Sequence, residues 1–315
     1  MDLRNVLGFL DKRRQAREAA ALVTVCAVEG SSMRNPGTIM GVAEDGSFEG
    51  SLSGGCIENA VVAEALDTLK VGTPRVVRFG AGSRYLDIKL PCGGGLDLHF
   101  CPLDPVDEFV DTCLGAIGGR TPFSVHAGPE GVEYVPEWHH SFFNPETGVG
   151  VFGHWPAPQL QIIGHGAGVG SLARLGQLMG CWTRVLTPDE RIKASLEEAG
   201  LGADIIKRRT QTDLLESDPW GAFVFLFHDH DWEVDLMARA LELPHFYFGA
   251  MGGRRAHALR ADELLARGIS ADQIDTIRAP IGVFHSSRDP HTLALSTLTQ
   301  VMRAYQDTNF EAALG

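Results

Sequence analysis

Residues 160–163 are a short apolar run, Leu-Gln-Ile-Ile, that leads into Gly164-His165-Gly166-Ala167-Gly168-Val169-Gly170. Leu172, Leu175, Leu178 and Met179 then keep helical spacing as far as Gly180, and residues 182–187 form a second β-type run. No other stretch limits the fold as tightly. A buried strand, a glycine turn, a helix and a second strand make the opening unit of a dinucleotide-binding fold, because such a crossover packs back onto the same sheet. Counted strictly, Gly-x-Gly-x-x-Gly from Gly164 fails at its last position, where Val169 stands. The acidic residue expected at the end of the second strand is also displaced: Thr187 stands there and Asp189 follows two residues later. The loop can therefore serve NAD(P), another phosphate, or no ligand at all.

The same rhythm continues downstream. Residues 203–206, 222–227 and 246–250 read as strands, and 233–243, 255–268 and 290–305 as helices. This alternation predicts a parallel sheet with helices on both faces. Ligands of such folds lie beyond the carboxyl ends of the strands. The segments leaving those ends are 164–170, 187–191, 228–231 and 249–255, and they are polar or glycine-rich. His228-Asp229-His230-Asp231 can be read as a metal site or as helix capping by Asp229 or Asp231; the second reading is preferred because no third His, Asp or Glu cluster completes a coordination sphere. Arg254 and Arg255, after Gly252 and Gly253, are either an anion contact or a plain surface pair.

The first half carries three further small-residue loops. One is Ser51-Leu52-Ser53-Gly54-Gly55-Cys56-Ile57-Glu58, followed by Ile57, Val61, Ala65 and Leu69 at helical spacing. Cys56 thus stands where a glycine loop turns into a helix, a place that lowers a thiol pKa and offers free amides to a phosphate. A buried, inert Cys in a tight turn is the alternative. The others are residues 30–37, Gly-Ser-Ser-Met-Arg-Asn-Pro-Gly, and 91–95, Pro-Cys-Gly-Gly-Gly. Around them, residues 21–28, 75–79, 86–90 and 96–101 read as strands, 38–43 and 47–50 as a hairpin, and 105–117 as a helix. This gives an N-terminal α+β domain over 1–120, peripheral strands and a linker over 121–158, and a Rossmann-like doubly wound parallel sheet over 159–315.

Lys and Arg number 27 against 40 Asp and Glu, a net charge of −13 that argues against nucleic acid or an anionic membrane as the main partner. No run approaches 18 apolar residues, and Lys12, Arg13, Arg14 and Arg17 follow rather than precede the apolar face at Val6, Leu7, Phe9 and Leu10. That is the wrong order for a signal peptide, so a surface helix on a cytoplasmic protein is expected. The six cysteines show no Cys-x-x-Cys spacing, which argues against a disulfide framework and a zinc site. Cys26, Cys101, Cys113 and Cys181 lie in apolar or mixed segments and are expected in the core; Cys56 and Cys92 flank glycines.

Taken in order, these motifs resemble the XdhC/CoxI family, the accessory proteins that mature xanthine dehydrogenase and related molybdenum hydroxylases. Residues 30–37 look like its G-S-S-x-R-x-P-G, 50–58 like its G-S-x-S-G-G-C-x-E, and 91–94 like its P-C-G-G. Residues 228–230 look like its H-D-H, 249–255 like its G-x-L-G-S-R-R with Met251 and Gly253 as departures, and 279–282 like its A/G-P-I-G. Two more departures fall at the Rossmann loop, Gly164-His165-Gly166-Ala167 for the family's G-A-G-H, and after the second strand, where 187–191 replace its D-x-R. The resemblance implies a homodimeric chaperone. It would bind molybdopterin, protect it while a cysteine desulfurase replaces an oxo ligand by sulfur, and insert it into an apo molybdenum hydroxylase. Ser31, Ser32, Arg34, Gly37, Ser53, Gly54, Gly55, Cys56, Glu58, Cys92, Gly93 and Gly94 are the expected cofactor contacts of the first half. Gly164, Gly166, Gly168, Asp189, His228, Asp229, His230, Gly252, Arg254 and Arg255 are those of the second. Cys56, as a thiolate, is the expected reactive group and a candidate molybdenum contact. Both sets of loops are expected to face one cleft. Two rival readings are an NAD(P)-dependent oxidoreductase, against which no obvious Tyr-x-x-x-Lys or other hydride-transfer pair appears near the expected site, and a docking scaffold that holds no cofactor.

Overall fold

A strand buried along nearly its whole length can serve two cores at once, and the first strand of this chain does so. The computed structural model describes residues 2–30, 34–55, 57–83, 93–228, 230–284 and 287–314. After α1 (Asp2–Ala16), β1 (Ala20–Glu29) alternates its side chains with the two-residue period of a strand. Ala21, Val23 and Val25 enter one apolar cluster; Ala20 and Leu22 enter another. The sheet around it continues with β2 (Ile39–Ala43) and β3 (Phe48–Glu49). After α2 (Glu58–Val71) come β4 (Arg75–Gly80) and β5 (Gly95–Leu103). Its order is β3-β2-β1-β5-β4, every pair antiparallel.

Val61 and Ala65 of α2 close the first cluster. Val6, Leu7 and Leu10 of α1, with Phe109, Val110 and Cys113 of α3 (Phe109–Gly118), close the second. A second antiparallel sheet follows, formed by β6 (Phe123–Gly128), β7 (Gly131–Val135), β8 (Phe142–Asn144) and β9 (Val149–His154), in the order β7-β6-β9-β8. Phe123 and Val125 belong to the α1/α3 cluster, and Ala127 and Phe152 pack on Cys26. The strands β7 and β8 are three to five residues long and at most half-buried, too short and too wet to show a hydrophobic period in the sequence.

The chain divides into two compact units, Met1–Pro156 and Ala157–Gly315. The second begins with β10 (Gln159–Gly164), α4 (Ala167–Leu178) and β11 (Trp182–Thr187), then α5 (Glu190–Glu197) and β12 (Ala203–Ile205). It continues with β13 (Gly221–Leu226), α6 (Val234–Leu241), β14 (Tyr247–Ala250), α7 (Arg254–Ala266), α8 (Ala271–Asp275) and α9 (Pro290–Asp307). All its strand pairs are parallel, in the order β12-β11-β10-β13-β14. That is the 3-2-1-4-5 order of a Rossmann sheet, with its reversal between β10 and β13. Ala222, Val224 and Leu226 face one cluster with α4 and α9, while Phe223, Phe225 and Phe227 face another with α6, α7 and α8. The fold is therefore α/β, an α+β unit followed along the chain by a doubly wound parallel sheet. Among the described residues, no helix is long and apolar enough to cross a membrane.

Helix α4 begins at Ala167, earlier than a loop running to Gly170 would allow. Two elements were not anticipated: α5, whose face is mostly charged, and the five-residue α8. Both clusters of the second unit are built from its own residues. A fragment spanning residues 157–315 is thus expected to melt cooperatively by circular dichroism; a fragment without a transition would show that the unit boundary is misplaced.

Candidate functional site

In the first sheet, strand register decides where the glycine loops emerge. Glu29, the last residue of β1, pairs with Gly95, the first of β5, and Gly80 at the end of β4 pairs with the same residue. Ile39 opens β2 opposite Thr24, and Glu49 closes β3 opposite Gly41. The loop after Gly30, the loop after Gly50 and the residues entering β5 therefore all leave the sheet at one end. Two of them touch through backbone. A Cβ at Gly94 would run into the Glu29 carbonyl, and one at Gly30, where φ is +80°, would stand 3.2 Å from Gly94 Cα. Only glycine permits this approach. Arg78 ties the same strand ends, pairing with Glu29 and, at 3.0 Å, with Asp97.

The loop before α2 is organised around Glu58, the first residue of that helix. Its Oε1 accepts from the Ser51 hydroxyl at 2.9 Å and from the amides of Leu52 and Ser53 at 3.2 and 3.0 Å. Its Oε2 accepts from the Ser53 hydroxyl at 2.6 Å and the Ile57 amide at 3.2 Å. Burial alone would push this carboxyl up, but the Ser53 hydroxyl and amide, the Gly55 amide and the Ser51 hydroxyl reverse that and hold it at about 2. Glu58 is thus the residue that shapes the loop around Gly54 and Gly55, and both its oxygens are engaged within it. Gly37 donates to the Val25 carbonyl at 2.8 Å, and Thr38 closes a turn on Asn35, next to the half-buried Arg34. Ser31, Ser32, Cys56 and Cys92, named by the sequence, lie outside the described residues, as does the strand expected at 86–90.

In the second unit, β10 and β13 part at the switch point, and α4 starts there. Its N-cap is Gly166, at φ +89°, and no side chain caps it. The first amides of such a helix lack intrahelical partners and attract an anion. His165 and His228 flank this turn, their rings 5.8 Å apart, with Phe227 5.4 Å from His165. His228 was expected from sequence and His165 was not, although it stands inside the glycine loop. Gly168 is a packing glycine, since a Cβ there would lie 3.3 Å from Leu293 of α9. Asp189 caps α5, accepting from the Arg191 amide at 2.9 Å. Arg254 and Arg255 are exposed in the first turn of α7, which carries no acidic residue. Cations at a helix N-terminus oppose the macrodipole, an arrangement that an anion would relieve.

The capping expected of Asp231 is not found. His230–Trp232 forms a 3-10 turn, Glu233 takes the N-cap position of α6, and Asp231 pairs at the surface with Arg209 at 3.2 Å. Asp229 lies outside the described residues. Among those described, no group of three His, Cys, Asp or Glu is placed to hold a metal ion.

Sequence reasoning missed the buried ion pair behind these loops. Arg260 of α7 reaches Glu233 at 2.7 and 2.9 Å, both side chains being wholly buried. The same guanidinium donates to the Met251 carbonyl at 2.8 Å. One cation therefore anchors the segment after β13 and the segment after β14 together, while Gly252 and the exposed arginines follow directly. Cys26, Cys101, Cys113 and Cys181 are buried, and burial pushes the first three thiols up to about 12 and the last to about 11. They are core residues, as their sequence context suggests.

Residues 13–80 match the XdhC and CoxI family, and residues 160–301 match the XdhC Rossmann domain. The chain is 33% identical over 310 residues to the molybdenum cofactor insertion chaperone PaoD of Escherichia coli (strain K12), covering 97% of this chain and 90% of that protein. The chain belongs to the XdhC and CoxI family. It is also 20% identical over 294 residues to the uncharacterized protein YqeB of the same organism, covering 90% of this chain but 43% of YqeB. A crystal structure described as a xanthine dehydrogenase from Bacillus halodurans superimposes with a TM-score of 0.78 at 20% identity, covering 99% of this chain and all of that one. That likeness is one of fold.

Two predictions rest on these family loops. Because the Glu58 carboxyl is held at about 2 against an ordinary 4.5, its contribution to stability is complete above pH 4.5 and drains away as the pH falls toward 2. Glu58→Gln is expected to lower stability by roughly 2 kcal/mol near neutrality, and the gap to wild type should close below pH 4.5 in denaturant melts. Arg260→Met should cost about 3–5 kcal/mol by stranding the Glu233 charge, and adding Glu233→Leu should restore much of it. Additive losses in that pair of variants would rule out the coupling.

Proposed function

We propose that this protein is a molybdenum cofactor chaperone, which takes up the cofactor and hands it to an apoenzyme. The observation that carries this reading is the 33% identity to PaoD along 97% of the chain. The geometry supports it. Molybdopterin is a phosphorylated, thiol-bearing cargo, and the first unit gathers three glycine-rich loops at one end of a sheet, where backbone amides can accept its phosphate. On this reading Arg34, Gly37, Ser53, Gly54, Gly55, Gly93 and Gly94 border the cargo, and Glu58 keeps the Ser53–Gly55 backbone in place to meet it. Cys56, one residue before Ile57 at the N-cap of α2, is assigned as the thiolate that meets the molybdenum centre.

The finer steps belong to the same proposal. The client is a molybdenum hydroxylase of the xanthine dehydrogenase type, and a cysteine desulfurase supplies the sulfur while the cargo is held. The protein works in the cytoplasm as a homodimer. In the second unit Gly164, Gly166, His228, Gly252, Arg254 and Arg255 would receive an anionic part of a ligand or partner. The NAD(P) reading draws on the uncapped start of α4, but the Asp189 carboxylate that would meet a ribose caps α5 instead.

Protein purified from cells that make the cofactor is expected to carry molybdenum at close to one per chain, and Cys56→Ala to lose most of it and most activation of a client hydroxylase. Wild-type protein without molybdenum would sink the chaperone reading. Equal activation by wild type and Cys56→Ala would remove Cys56 from it. Calorimetric titration with NADH and NADPH separates the oxidoreductase alternative, which requires tight binding and turnover of a carbonyl substrate.

A further inference from the structure

Arg78 stands on β4, two strands away from β1, and its side chain crosses the strand between them. It pairs with Asp97, its register partner on β5, at 3.0 Å, and reaches past it to Glu29 at the end of β1. Two strand spacings are about 10 Å, so the arginine has to lie extended and flat over β5 to make both contacts. Gly95 makes room for it. The backbone there is not left-handed, yet a Cβ would stand 2.6 Å from Arg78 Nη2 and 2.9 Å from its Cζ, closer than to the nearest backbone atom, the Ala81 oxygen at 3.1 Å. The path of the arginine thus accounts for a glycine at 95 that the turn of the chain does not require.

A third contact completes the arrangement. Arg78 Nε donates to the Ala81 carbonyl at 2.6 Å, in the turn after β4, and the Ala81 amide donates to the Gly94 carbonyl at 2.9 Å. One planar cation therefore holds the end of β1, the end of β4 and the start of β5. The first leads into the 30–37 loop, and the last follows directly on Gly93 and Gly94. Folding as a whole gains little from this: Arg78 is 31% and Glu29 66% exposed, and ion pairs so open to water contribute little to stability. The effect is local. Without the guanidinium, two carboxylates that share it are left to repel each other beside the contact of Gly30 with Gly94.

We propose that Arg78 is the positioning residue of the cargo loops in the first unit: by clamping three strand ends it sets the spacing between the 30–37 loop and Gly93–Gly94. It acts through these loops and not on the cargo itself. That the spacing serves a cargo rests on the chaperone reading; the clamp does not.

The test uses full-length protein purified from cells that make the cofactor, with molybdenum measured after dialysis. Arg78→Ala is expected to retain about tenfold less molybdenum than wild type, as when a residue supporting a metal-centre contact is lost. Its melting temperature should stay within about 3 °C. Gly95→Ala keeps the arginine but occupies its path, so it should show the same loss and add little in the Arg78→Ala background. Arg78→Lys keeps the stem and the charge without the fork, and should stay close to Arg78→Ala. Hydrogen exchange reads the clamp without any cargo: the Ala81 amide should exchange about tenfold faster in Arg78→Ala. Molybdenum retention by Arg78→Ala equal to wild type, or full rescue by Arg78→Lys, overturns the positioning role, and so does a fall in melting temperature that matches the loss. Unchanged exchange at Ala81 overturns the clamp. Wild-type protein without molybdenum defeats the chaperone reading alone, and the exchange still decides the clamp.

Discussion

The first unit depends on β1 being buried on both sides. Ala21, Val23 and Val25 fill the α2 side while Ala20 and Leu22 fill the α1/α3 side. Sliding the strand by one residue would exchange the two sets and empty both cores, so its register against β2 and β5 is strongly specified. That register also brings Glu29 opposite Gly95, and with it Gly30 against Gly94. The position of the ligand-type loops is thus a by-product of hydrophobic burial elsewhere in the strand. A bulge between Val25 and Ala27 lets β1 bend before it reaches them.

The second unit reaches a similar result by other means. Its sheet is buried on both faces, so the strands read as continuous apolar runs, and only their carboxyl ends are free for polar work. The reversal of strand order between β10 and β13 opens the crevice beside Gly166. The neighbouring segments are tied, besides their packing, by a charge pair, Arg260 with Glu233. A buried ion pair is weak evidence for stability, because burying both charges costs about as much as their attraction returns. Its geometric effect is clearer: Nε and Nη2 of one planar group fix a carboxylate oxygen and the Met251 carbonyl at once.

The parts legible in the sequence are those where one residue type answers one local demand. Gly164 and Gly166 after an apolar run, the glycine at 94 and the apolar spacing of α2 each announce themselves without a partner. The strands of the second unit were legible for the same reason, since two-sided burial leaves strong apolar runs, whereas α5 and α8 were not. The illegible parts depend on pairs that are distant in the chain. Arg260 looks like any charged residue on an amphipathic helix until Glu233, 27 residues away, is seen beside it. Arg78 gains its character from Glu29, 49 residues earlier, and from the glycine at 95 that it lies over. Glu58 closes a motif in the sequence, but its bonds to Ser51, Leu52, Ser53 and Ile57 are visible only in the folded loop. Short half-exposed strands such as β7 and β8 leave no period to read.

A carrier has to bind tightly enough to protect its cargo and loosely enough to release it. Arginine clusters would favour the first at the expense of the second, since each charge-assisted contact adds a large increment of affinity. On the chaperone reading the first unit would instead meet its cargo mostly with backbone, from Gly30, Gly54, Gly55, Gly93 and Gly94. Backbone amides held rigid by Glu58 cost little reorganisation when a phosphate arrives, yet each contributes less than a full charge. The serine and amide bonds that converge on Glu58 keep that carboxylate ionised inside a loop with no cation of its own. On the chaperone reading, release then needs only a modest competing affinity in the client, and no chemical step in the carrier.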